Sequence, residues 1–216
     1  AVSGDKPKPE PSGPNVPLKF RLEHLDGKHA YLAARGLTPE TIVDFGIGYC
    51  AKGVMAGRIA IPIHNPEGQI VAYAGRFPGE PSEDTPKYKL PPGFKKSQEL
   101  FTLDRAIRQS PDLPLVIVEG FFDCMKLWQH GVKKVVALMG STLSAAQEEL
   151  IRKHTPARSR VIVMLDEDEA RRTGRDDLAA RLAKFCFVTT HVFPQEDMQP
   201  EHLSAEEASA LCGGAS

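Results

Sequence analysis

Acidic residues at two places in the chain share a setting that suits metal-assisted phosphate chemistry. Glu119 and Asp123 stand in Val118-Glu-Gly-Phe-Phe-Asp123, directly after the apolar run Leu115–Val118. Asp166 and Asp168 stand in Leu165-Asp-Glu-Asp168, directly after the apolar run 161–165. Short β-branched runs of this kind read as strands, and functional groups in open α/β sheets collect at the carboxyl ends of strands. Carboxylates converging on one sheet edge repel each other unless a cation lies between them. Oxygen donors without His or Cys suit a hard divalent ion, Mg²⁺ or Mn²⁺. Such ions neutralise transferring phosphoryl groups, so the implied chemistry is that of nucleotides. A blander reading competes, because acids after strands also cap helices and sit in solvated loops. For either cluster alone the cap is the better reading; the two together, in this order, favour the metal.

A second group of residues carries the opposite charge. Arg76, Lys87, Lys89, Lys95, Lys96, Arg105 and Arg108 fall within a stretch rich in loop residues. Cations on such a segment suit a phosphate backbone, since neutralising phosphates releases counterions. A merely solvated loop fits equally well, because Glu80, Glu83, Asp84, Glu99 and Asp104 share the interval. The histidines show no ligand spacing. Phe121 and Trp128 fall in an apolar helical stretch and read as core rather than as base-stacking groups.

The elements that must position these groups follow from pattern. Residues 1–17 hold five prolines and two glycines with few large apolar side chains, and read as a disordered leader or linker. A helix is expected over 29–34, stopping at Gly36, and a second after Thr38, with Pro39 at its first position. Strands are expected at 47–50, 58–63 and 70–74, the last two joined by the turn Asn65-Pro-Glu-Gly68. Residues 76–98 read as a long loop, a length that often signals function. From 113 to 193 the pattern is β-α-β-α-β-α-β: apolar runs at 115–118, 135–138, 161–165 and 188–193, and helices at 121–130, after Ser144 and at 176–185. Ser144 with Gln147, and Ser204 with Glu207, have the spacing of capping boxes. Such a pattern argues for a parallel sheet covered on both faces.

Composition bounds the reading further. The chain has 216 residues, 41% hydrophobic and 25% charged, with a formal net charge of -1. That is ordinary for a globular protein and excludes a fibrous or largely disordered one. No apolar run approaches the ~20 residues of a membrane helix, and the first residues show no secretory h-region, so a cytoplasmic location is expected. Cys50, Cys124, Cys186 and Cys212 are scattered singly, as expected of reduced thiols rather than of a zinc module or disulfide scaffold. Charge is unevenly spread: residues 1–110 carry 15 Lys and Arg against 12 Asp and Glu, and residues 111–216 carry 12 against 16.

The acidic pattern Glu119-Gly-Phe-Phe-Asp123 with Asp166-Glu-Asp168 resembles the signature of the TOPRIM domain, shared by bacterial primases, topoisomerases and some nucleases. The first half is similar, in order, to the catalytic core of the DnaG-type bacterial primase: Tyr31-Leu-Ala-Ala-Arg35-Gly-Leu37, Phe45-Gly-Ile-Gly-Tyr49, Gly57-Arg-Ile-Ala-Ile-Pro-Ile63, Tyr73-Ala-Gly-Arg76, Pro86-Lys-Tyr88 and Phe94-Lys-Lys96. The resemblance covers about residues 26–203. It implies an α/β fold: a TOPRIM-type parallel sheet with flanking helices over 111–203, preceded by a smaller α+β basic subdomain over 18–110 and followed by a short helix and tail over 204–216. It implies synthesis of short RNA primers from nucleoside triphosphates on a single-stranded DNA template. It makes Glu119, Asp166 and Asp168 the catalytic and Mg²⁺- or Mn²⁺-binding set, with Asp123 as a further metal ligand and Glu119 a candidate general base. Arg35, Arg76, Lys87, Tyr88 and Lys96 become nucleotide- or template-binding residues.

The resemblance also marks departures. Replicative primases carry a zinc module and a helicase-binding domain, and neither is present in these residues; a zinc-module domain or a replicative helicase outside this chain is the partner implied. The chain is read as an excised core or a shortened homologue. Gln199 stands where the family often has an aspartate, which bears on the second metal position. Two alternatives remain: a TOPRIM metal-dependent nuclease, and a non-catalytic single-stranded DNA-binding module of a mobile element. A topoisomerase would need a nucleophilic tyrosine in a separate domain, whereas the four tyrosines here all fall in primase-like positions.

Overall fold

The computed structural model describes residues 13–165, 169–191, 193 and 198–211, with no side chains for 169–172. Local capping builds its first helices. The His29 ring accepts the Tyr31 N–H to open α1 (Ala30–Ala34), and Thr38 Oγ1 accepts the Thr41 N–H to open α2 (Pro39–Phe45). Helix α2 stops at Gly46, whose φ of 62° is the left-handed conformation a C-cap needs. An antiparallel sheet follows in the order β1-β2-β3-β4, from β1 (Gly48–Cys50), β2 (Arg58–His64), β3 (Ile70–Arg76) and β4 (Tyr88–Lys89). The expected turn joins β2 to β3, with Asn65 Oδ1 accepting the Gln69 N–H at 2.8 Å. Pro62 is tolerated inside β2 because β1 has already ended opposite Ala60.

Residues 76–98, read as loop from sequence, contain the two-residue β4 and one 3-10 turn over Lys96–Gln98. Their outward excursion is anchored by Arg58, which is buried and donates to Gly75 O at 3.1 Å and Pro86 O at 2.8 Å. A short α3 (Leu103–Ala106) leads into the second sheet.

That sheet is parallel, in the order β6-β5-β7-β8, from β5 (Leu115–Val118), β6 (Val135–Ala137), β7 (Arg160–Met164) and β8 (Phe187–Thr190). Helices α4 (Phe121–Gln129), α5 (Ala145–His154) and α6 (Glu169–Leu182) make the crossovers. Val116, Val118, Val135, Ala137, Ile162 and Met164 enter one buried cluster; Leu115, Ile117, Val136, Val161 and Val163 enter another on the opposite face. Strands buried on both faces have no polar side to alternate with, which is why they read as continuous apolar runs. The first cluster also takes Leu32, Ile42, Ile59 and Ile61, so the two sheets share a core.

Several elements depart from expectation. Helix α6 begins at Glu169 rather than 176, because its amino-terminal half offers helix-forming charged residues but no apolar period until Leu178. Strand β8 spans Phe187–Thr190 rather than 188–193. Residues 13–17, placed in the leader by their prolines, are fastened through Asn15 to Lys95 and Glu99. The short helix expected after Ser204 does form, as α7 (Ala205–Leu211) on the Ser204–Glu207 box, and its Ala208 is fully buried. Phe101 exchanges two backbone hydrogen bonds with Ala137 of β6, so packing continues across residue 110. Cys50, Cys124 and Cys186 are buried and unpaired, and burial pushes the Cys124 thiol up to about 12. No helix among the described residues is long and apolar enough to cross a membrane.

Candidate functional site

The parallel register sets the site. Val118 pairs with Met164, so β5 and β7 leave the sheet side by side. Glu119 follows β5 immediately, and Gly120 then starts α4 with extended backbone. The Asp123 carboxylate accepts the Gly120 N–H at 3.1 Å and is only 7% exposed. Asp123 is therefore a helix cap and a cleft carboxylate at once; the two readings of the sequence meet in one residue. Asp166 and Asp168 lie outside the described residues.

Glu119 and Asp123 face a cleft of about 530 Å³. Arg35, Lys87 and Lys96 line the same cleft, as do Tyr88 and Gln199. Leu90, Phe121, Phe122 and Met139 add apolar surface, with Gly140 beside them. Four of the five cationic and aromatic residues picked from sequence thus converge on the carboxylates, from parts of the chain far apart.

Each cation is held differently. Arg35 closes α1; its guanidinium lies 4.2 Å from the Phe122 ring centre, donates to the Tyr31 hydroxyl at 3.1 Å and pairs with Glu201. Burial lowers its affinity for a proton, but the hydrogen bond and charge of Glu201 prevail and raise it. Lys87 and Lys96 are exposed at the rim. The Lys96 ammonium rests against Gly140, within 3.0 Å of where a Cβ would be.

Arg76, the fifth residue, does not line the cleft. It is 9% exposed beneath it, its guanidinium 5.6 Å from the Tyr31 ring centre and 5.3 Å from that of Tyr88. Its Nε and Nη1 find no hydrogen-bond partner among the described residues. A buried guanidinium with unused donors attracts an anion, since leaving those donors unpaired costs on the order of 1–3 kcal/mol. Tyr88 packs on Phe121 at 5.4 Å, and burial pushes its phenol up to about 12, against the pull of Arg76 and Arg35. Trp128 lies elsewhere: its Nε1 donates to Asp44 at 2.9 Å and its ring packs on Phe45, as a core residue would.

Sequence reading missed Glu201, Met139 and Gly140. Glu201 follows Pro200 at the start of a 3-10 turn, and that proline was its only local signal. Among the described residues no group of three or more His, Cys, Asp or Glu side chains is placed to hold a metal ion.

Comparison with known proteins places this architecture. Residues 116–201 match the Toprim-like family model. The chain is 30% identical to a DNA primase of Deinococcus radiodurans over 91% of its own length and 42% of that protein's. It spans well under half the length of the curated relatives it matches. The zinc-binding and RNA polymerase domains of Aquifex aeolicus primase superpose with a TM-score of 0.73 at 25% identity, over 85% of this chain and 54% of that one. A DnaG catalytic domain bound to single-stranded DNA gives a TM-score of 0.72 at 24% identity, over 86% of this chain and 70% of that one. Family model, relatives and fold agree with one another: residues 116–201 are a Toprim-like domain of the DnaG primase type, within a chain that is similar to DnaG-type catalytic cores on both sides of that domain's start.

Proposed function

We propose that the chain is the polymerase core of a primase, joining ribonucleotides into short primers on a single-stranded DNA template. One observation carries the reading: the Glu119 and Asp123 carboxylates face Arg35, Lys87 and Lys96 across a single cleft with an apolar floor. A nucleoside triphosphate presents the complementary pattern, with anionic phosphates for the cations and a flat, partly apolar base. The DnaG catalytic domain that shares this fold is bound to single-stranded DNA in its own structure, and the cations of the amino-terminal half would carry the template here. Phosphate contacts of this kind position a strand without reading its bases.

In this reading Arg35, Lys87 and Lys96 hold triphosphate or template phosphates, and Arg76 acts through the Tyr88 ring it packs against. Glu119 and Asp123 are the described donors for Mg²⁺ or Mn²⁺, and Asp166 and Asp168 complete the set by sequence. Hard carboxylate oxygens fit such an ion, which when bound supplies charge neutralisation at the triphosphate. Glu119, partly exposed at the strand end, would be the group that accepts a proton from an attacking hydroxyl. Gln199 puts a neutral amide into the cleft where the family often has an acid. That substitution lowers the local negative charge and weakens a second ion's hold. A zinc-module domain and a helicase remain proposed partners outside these residues.

The test mixes the chain with labelled ribonucleotides, Mn²⁺ and a single-stranded oligonucleotide. Extended product supports the primase reading. A shortened template identifies the nuclease, and a retarded complex without either identifies the binding module.

A further inference from the structure

We propose that Asn15 is a positioning residue for Lys96, acting through the loop that carries the lysine; the inference rests on the cleft reading above. Residues 95–99 have little regular structure of their own, only the 3-10 turn at Lys96–Gln98. They are gripped from two sides instead. On one side the Asn15 carboxamide uses both its functions: Oδ1 accepts the Lys95 N–H at 2.9 Å, and Nδ2 donates to Lys95 O at 3.0 Å and to Glu99 Oε1 at 3.0 Å. The Lys95 ammonium reaches back to Gly13 O, and Gln98 donates to the same carbonyl at 3.3 Å. On the other side the residues that cap α5 do double duty. Ser144 Oγ donates to Ser97 O at 2.5 Å, and Gln147 Nε2 donates to Glu99 O at 2.8 Å.

Lys96 lies between these fastenings. Its neighbours on both sides are bonded, so its backbone is fixed and only its side chain keeps freedom. That side chain lines the cleft against Gly140. Ordering a long cationic side chain costs conformational entropy. A fixed backbone leaves only the side chain to order when an anion arrives. The amide is specific to the task, because it must donate and accept at once. Aspartate has the same size but no donor, and would set a second carboxylate against Glu99. Lys95 and Glu99 are 7% and 5% exposed, so the grip is shielded from competing water.

A double-mutant cycle on the full chain tests this, using Asn15→Ala, Lys96→Ala and the pair, assayed by extension of a supplied primer with ATP on an oligo-dT template. Loss of these bonds should raise KM for ATP by about tenfold and leave kcat nearly unchanged. Asn15→Asp, isosteric with the parent, should show the same loss at neutral pH. In the Lys96→Ala background the Asn15 substitution should add nothing. Additive effects, or an unchanged KM in both Asn15 variants, would overturn the inference. Amine-reactive labelling of Lys96, read by mass spectrometry, gives an answer that needs no turnover: labelling should quicken in Asn15→Ala, and an unchanged rate would also overturn it. A parent chain that extends no primer would defeat the functional reading alone, and the labelling would still decide the role of Asn15.

Discussion

Glu201 and Arg35 form an ion pair that ties the turn after the last parallel strand to the end of the first helix. Both are mostly buried, with side chains 13% and 24% exposed. Glu201 accepts from one edge of the guanidinium, the Tyr31 hydroxyl accepts from its other terminal nitrogen, and Phe122 lies against its face. The pair therefore aims an arginine at the cleft instead of leaving it free to sample solvent. Glu201→Ala should raise KM for a nucleoside triphosphate about fivefold, the equivalent of about 1 kcal/mol. Glu201→Gln, which keeps an acceptor, should fall between that variant and the parent. Steady-state kinetics over a nucleotide series provides the check; identical KM in all three proteins would remove Arg35 from phosphate binding.

Gly140→Ala should separate site geometry from stability. The added methyl meets only the tip of Lys96, which is flexible and can swing away. The melting temperature should hold, while affinity for ATP should fall about fivefold, about 1 kcal/mol, because the lysine is pushed off its seat. Thermal melts and ATP titration on the same preparation test both halves.

Tyr88 is predicted to matter as a ring and not as a phenol. Its face carries Arg76 and packs on Phe121. Tyr88→Phe should leave stability unchanged, and Tyr88→Leu should cost about 1 kcal/mol through the lost aromatic and cation–π contacts. Urea denaturation of both variants would show it.

Glu99 supplies a pH signature. Burial raises its carboxyl above the ordinary 4.5, against the lowering effect of the Asn15 hydrogen bond. A raised acid favours the folded state below its unfolded pKa, and that advantage fades as pH climbs through the folded value. Glu99→Gln keeps the acceptor for Asn15 and removes the titration. Its stability relative to the parent should therefore be flat below pH 4.5 and improve as pH rises from there towards neutrality. Chemical denaturation at a set of pH values measures the difference.

The sequence was most legible where structure is made locally. Thr38, Ser144 and Ser204 each open a helix within three residues of their partners, and all three were readable as caps. Parallel strands buried on both faces were legible from their apolar runs. The pairs that aim side chains into the cleft were not. Arg35 and Glu201 stand 166 residues apart, and Asn15 and Lys95 stand 80 apart. A lone polar residue that finds its partner through the tertiary fold leaves no period or motif behind. Prolines around Asn15 signalled a linker, although its amide fastens the segment to the loop at Lys95. The amino-terminal half of α6 was missed for a related reason: charged residues without an apolar stripe form a helix that pattern alone does not detect.

The central claim is that Glu119 serves nucleotide chemistry in the cleft rather than capping or solvating a strand end. Glu119→Gln tests it most directly, in primer extension with Mg²⁺ and with Mn²⁺, alongside a thermal melt. Removing the charge of a carboxylate that shares the cleft with Asp123 relieves like-charge repulsion, so the fold should hold or gain stability. Synthesis should fall by about a hundredfold or more, as loss of a catalytic acid–base or metal-holding group requires. Full synthesis by a folded Glu119→Gln chain would contradict the account.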